Sequence, residues 1–125
     1  MLRVSIASDL APLLMAMDSA AAGDALELLT VTVEEDMRPY VKHDTGRLEE
    51  SARKNSDFRG GRIVYTAVDE ETGEDYAAAA YEDPRVGEHG DQNDKATAHW
   101  AEAASNDRSE EWAELLAQAM IKEMS

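Results

Sequence analysis

Tyr40-Val41-Lys42-His43-Asp44-Thr45-Gly46-Arg47-Leu48 is the stretch on which the fold turns. It reads either as a loop that presents Asp44 or as a turn that redirects the backbone after a helix, and its flanks separate the two. Upstream, Asp18-Ser19 caps a helix in which Ala22, Leu26, Leu29, Val33 and Met37 recur at helical spacing. Gly23 weakens its first turn and Val31, Thr32 and Val33 are β-branched, so this helix depends on packing its apolar stripe. Pro39 disfavours helical geometry at Arg38, which predicts the end of the helix there. Downstream, Gly46 to Ala52 reads as a short helical turn anchored by a buried Leu48, with Asp44 or Thr45 as its cap.

Working outward, Leu2, Val4 and Ile6 alternate onto one face of a strand, and Ser8-Asp9 offers a cap for a helix over Leu10 to Met17. Arg53 to Phe58 and Arg62 to Val68 read as a β-hairpin around Gly60-Gly61. Asp69 to Asp75 is an acidic, exposed loop, and Tyr76 to Tyr81 fits either a strand or a short helix. Glu82 to Asp94, with Pro84, Gly87 and Gly90, reads as a long irregular loop. Ala96 to Ala104 resembles one or two helical turns. Asp107 and Glu110 have capping-box spacing before a terminal helix lined by Trp112, Leu116, Ala119, Met120 and Met124. The pattern predicts an α+β fold, with a small antiparallel sheet packed against a long helix in the N-terminal half and a C-terminal helix.

The 125 residues fit one domain, 1–125. Twenty-seven acidic against 12 basic residues give a formal charge of −15, which disfavours both a phosphate-gripping surface and adhesion to anionic membranes. The chain has no cysteine, so disulfides and thiolate metal sites are excluded. Its longest apolar runs, Leu10 to Met17 and Ala77 to Tyr81, fall short of the roughly 20 residues of a membrane span. The N-terminus lacks the basic flank, apolar core and cleavage site of a signal peptide, and the expectation is a mature, soluble chain.

Asp44-Thr45-Gly46 is also the tripeptide of aspartic proteases, which a homodimer would complete by bringing two Asp together. The context opposes this, since Val41-Lys42-His43 is no apolar strand and Arg47-Leu48-Glu49-Glu50 follows. His43, His89 and His99 are widely separated, and neither acidic loop has EF-hand spacing. Gly60-Gly61 lacks a phosphate-binding pattern. Trp100, Trp112 and the four tyrosines read as core or interface anchors. An enzyme is not expected, and no cofactor is implied.

Three segments carry a resemblance when taken together. Tyr40-Val41-x-x-Asp44-Thr45-Gly46-x-Leu48-x-x-Ser51 follows a helix; Gly61-Arg62-Ile63-Val64-Tyr65 leads to Tyr76-Ala77; and Ala96-Thr97-Ala98-His99-Trp100-Ala101-Glu102-Ala103-Ala104 precedes a terminal helix. In this order they resemble the small minor capsid or neck proteins of tailed phages, over about Ser19 to Met124. Lys42-His43 stands where many members have Val-Pro, Val68 to Asp75 is an insertion, and Ala101 replaces an aromatic.

The resemblance implies a structural virion protein at the head–tail junction, assembled in the host cytoplasm. It implies a homo-oligomeric ring, with a hexamer favoured because siphophage tails are sixfold. Its neighbours would be head-closure and tail-terminator or tail-tube proteins, and DNA would pass through without specific binding. Asp44, Thr45, Gly46 and Leu48 are the expected structural turn, and Arg47, Arg62, Tyr76, Tyr81, Arg85 and Trp100 the interface candidates. An acidic binding module, an inhibitor or nucleic-acid mimic acting on a basic partner, is the competing class.

Overall fold

The computed structural model describes residues 2–5, 19–42, 46–69, 71–83 and 95–124. Strand β1 (Leu2–Ser5) pairs antiparallel with β2 (Arg62–Tyr65), in the register Leu2 to Tyr65 and Ser5 to Arg62. Among the described residues four helices pack around this ribbon: α1 (Ser19–Met37), α2 (Arg47–Asn55), α3 (Ala77–Glu82) and α4 (Trp100–Met124). The fold is α+β, with a two-stranded antiparallel sheet, a long helix in the N-terminal half and a long C-terminal helix, as the apolar pattern predicts.

Helix α1 buries the predicted stripe at Leu26, Leu29, Val33 and Met37, while Ala22 is only half-buried. It gives way at Arg38–Tyr40 to a single 3-10 turn, with Pro39 inside it. Tyr40 and Val41 then enter the core beside Leu48 and Ala52 of α2. Ile63 and Tyr65 supply the inner face of the sheet, Ala77 and Ala80 the inner face of α3, and Trp100 and Ala104 the start of α4. The helix expected over Leu10 to Met17 lies outside the described residues.

Two expectations need correction. The hairpin has one rung, because Arg53, Lys54 and Asn55 continue α2, where Glu50 faces Arg53 at 3.5 Å and Lys54 at 4.0 Å. What remains is a tight turn in which Asp57 and Arg62 exchange two backbone bonds of 2.9 Å. Gly61 has φ 72°, and the Gly60 N–H donates to Asp57 Oδ1 at 2.9 Å. The main partner of β2 is therefore β1, some sixty positions earlier in the chain.

The second correction concerns the C-terminal half, where Trp100 to Met124 is one continuous helix. Asp107, expected as a cap, is a mid-helix residue whose carboxylate accepts the Tyr40 hydroxyl proton. No Gly or Pro lies between Trp100 and Met124 to break the run. A second bond, from Trp112 Nε1 to Asp36 Oδ2 at 2.8 Å, ties the same helix to α1.

Candidate functional site

The turn ahead of α2 has Gly46 at its N-cap with φ 82°, a left-handed conformation that favours glycine. The Gly46 carbonyl accepts from the Glu50 N–H at 3.0 Å, and Leu48, two residues on, is buried. Asp44 and Thr45, and with them the expected side-chain cap, lie outside the described residues, as do His43, His89 and Arg85.

Beside this turn opens a cleft of about 600 Å³, bounded by Lys42 and Arg47 on one side, Asp69 and Glu71 on another, and Tyr76 and Asp83 of the α3 region. Arg47 Nη1 donates to the Val68 carbonyl across it at 3.3 Å. Two of the nominated residues, Arg47 and Tyr76, thus meet in one place. Two cations and three carboxylates around a phenol complement a polypeptide surface bearing both signs of charge.

The described residues of the acidic loop forming one wall, 69 and 71–75, are tied by backbone bonds. Val68 bridges to Asp75, the Asp69 N–H donates to the Glu74 carbonyl at 2.8 Å, and the Gly73 N–H to the Asp69 carbonyl at 2.8 Å. Asp75 anchors its base, accepting from Thr66 Oγ1 at 2.6 Å, the Ala77 N–H at 3.0 Å and the Ala67 N–H at 3.3 Å. Burial resists ionisation of this carboxyl, but the bonds from Thr66, Ala77 and Ala67 outweigh it and hold the group well below the usual carboxylate range.

Tyr81 and Trp100 sit together away from the cleft, their rings edge to face with centroids 4.7 Å apart. Trp100 is 0% exposed within the single chain. Its nomination for an interface is therefore corrected: it is a core residue, sandwiched edge-on between Tyr81 and Tyr65, whose centroid lies 5.4 Å away. Its Nε1 has no hydrogen-bond acceptor among the described residues. His99, just before it, has φ 52°, donates its N–H to the Tyr81 carbonyl at 2.8 Å, and places Nε2 2.9 Å from Glu82 Oε2. Arg62 lies elsewhere, exposed on the outer face of the sheet.

Sequence reasoning missed a buried ion pair. Glu34 is almost wholly buried, and Arg38 reaches it through Nε at 3.1 Å and Nη2 at 2.7 Å. The hydrogen bond to Glu34 raises the Arg38 pKa, while burial, aided by the Glu34 charge, pushes the Tyr65 hydroxyl far above tyrosine's ordinary value. The i, i+4 spacing of Glu34 and Arg38 was the available signal. Among the described residues no three His, Asp or Glu side chains are grouped to hold a metal ion, and no helix is long and apolar enough to cross a membrane. Comparison with protein-family models, curated proteins and solved structures finds no match.

Proposed function

We propose that this chain is a structural subunit of a tailed-phage neck, one copy of a ring between head and tail. The observation that supports this reading is a convergence. Tyr40, Val41 and Leu48 of the first segment, Ile63, Tyr65 and Ala77 of the second, and Trp100 and Ala104 of the third all enter one buried cluster. Segments that are weak separately act as one packing unit, which is what a shared fold requires.

On this reading the mechanism is assembly: each copy offers two different surfaces, and a heterologous contact closes by rotation into a ring. A lining charged like a chain of net −15 repels the duplex, so DNA slides past without the phosphate contacts that would retard it. Repulsion between copies opposes assembly and is relieved by salt.

The test is to localise the chain in virions. An epitope-tagged copy is expected to co-purify with head–tail junctions and to label the neck in electron micrographs, and its deletion to leave heads and tails unjoined. Infectious particles with intact necks that lack the chain would overturn the reading. Exposed Glu110, Glu111 and Glu114 on α4 favour the second reading, an acidic module for a basic partner, and a stable monomer that captures one basic protein would support it.

A further inference from the structure

Arg3 and Arg62 are conspicuous in a chain with more than twice as many acidic as basic residues. The register pairs Arg3 with Val64 and Ser5 with Arg62, and residues directly opposite or two apart share a face. Both arginines therefore stand on the outer face of the sheet, as diagonal neighbours with Cα atoms about 7–8 Å apart. Both are exposed, while Leu2, Val4, Ile63 and Tyr65 turn inward. Elsewhere Arg38, Arg53, Arg59 and Arg108 each lie against a carboxylate. Among the described residues no carboxylate lies within ion-pair distance of Arg3 or Arg62, and that of Asp57, directly opposite Arg62, instead accepts from the Gly60 N–H at 2.9 Å. Two like charges side by side repel, and an anion between them would remove that cost.

The same chain carries an element of the opposite sign and a fitting shape. The described residues of this acidic hairpin, 68–69 and 71–75, expose Asp69, Glu71 and Glu74, and a Cβ built at Gly73 would meet nothing within 4 Å, so Gly73 faces open space. The hairpin's backbone bonds and the Asp75 anchor order it in advance, which lowers the entropy lost on docking. It cannot serve its own sheet face well, because it follows the far end of β2, roughly 20 Å of extended chain beyond Arg62.

We infer that the acidic hairpin of one copy docks on the Arg3–Arg62 face of the next. The inference rests on the ring reading and supplies its contact: two different patches on each copy, joined head to tail. It also explains how copies of net −15 approach at all, since the contact matches Arg3 and Arg62 with three carboxylates.

Charge reversal in the full chain tests it, with sedimentation velocity at fixed ionic strength as the readout and circular dichroism to check folding. Arg3→Glu with Arg62→Glu is expected to weaken self-association about tenfold or more, and Asp69→Lys with Glu71→Lys and Glu74→Lys to do the same. Mixing the two variants should restore association, because each then offers the charge the other lacks. Wild-type chain that stays monomeric at every concentration would overturn both the contact and the ring reading. Wild-type assembly unaffected by either reversal would overturn the contact alone. Weakening by the arginine changes but not by the hairpin changes, or no rescue on mixing, would replace the hairpin with another acidic surface and overturn the pairing.

Discussion

Asp75 does for the acidic hairpin what a cap does for a helix, and its ionisation is tied to folding. Its carboxyl titrates below the ordinary range in the folded chain, so its contribution is complete above the unfolded value of about 3.9 and is lost as pH falls below that through the folded value. Asp75→Asn is expected to cost about 1–3 kcal/mol at pH 7, and urea titrations should show the gap to wild type closing as pH drops from 5 toward 2. Arg38→Ala tests the other carboxylate. It leaves Glu34 buried without its partner, and because Arg38 is 35% exposed the cost belongs near the low end for such pairs, about 3 kcal/mol. Glu34→Gln with Arg38→Met should recover most of it. The spacing of Glu34 and Arg38 was legible beforehand. Asp75 was not, since its donors are brought to it by a loop path that no periodicity encodes.

At the scale of elements, the outer edge of β2 is closed without another strand. The Arg62 N–H donates to the Asp57 carbonyl at 2.9 Å, the Val64 N–H to Ser56 Oγ at 2.9 Å, and the Thr66 N–H to Ser51 Oγ at 3.1 Å. Every second amide is satisfied by α2 or the residues just after it, and an edge so occupied cannot template a further strand. Ser51→Ala removes the acceptor from a buried position and is expected to cost about 1–3 kcal/mol. Hydrogen exchange should report faster loss of protection at Thr66 than at Ile63, whose residue pairs with β1 instead. The turn before β2 is equally specific. A Cβ at Gly60 would meet Asp57 Oδ2 at 2.2 Å, so Gly60→Ala should lower the unfolding midpoint. Gly23→Ala should instead raise it, because there the Cβ meets only the tip of the Arg59 side chain at 2.7 Å and alanine is the better helix former. The strand formers of β2 were readable from Ile63-Val64-Tyr65, but its partner was not: propensity marks a strand, whereas pairing depends on tertiary packing.

The whole molecule balances a small apolar core against strong like charge. Among the described residues fourteen form the main buried cluster, and a formal charge of −15 opposes compaction. Raising sodium chloride from about 0.02 to 0.5 M, which shrinks the Debye length several-fold, is expected to raise the melting temperature measured by circular dichroism. The α+β class and the α1 stripe were legible because burial leaves a period in the sequence, whereas Trp100 was marked as an anchor without its place in the core. The continuity of α4 was not legible, since Asp107 and Glu110 have the spacing of a cap yet serve as helix-interior residues, with Tyr40 as the partner of Asp107.

The pairing of β1 with β2 has a consequence for how the molecule is born. A ribosome delivers Leu2–Ser5 first, but their partner Arg62–Tyr65 only some sixty residues later, several seconds at about 5–20 residues per second. Trp100, which packs against Tyr65, comes later still. For that interval β1 has no strand to pair with, and Leu2 and Val4 stay uncovered until Ile63, Tyr65 and Trp100 have been made. Slowing translation between Ser5 and Trp100 should therefore lower the yield of native chain more than slowing it beyond Trp100.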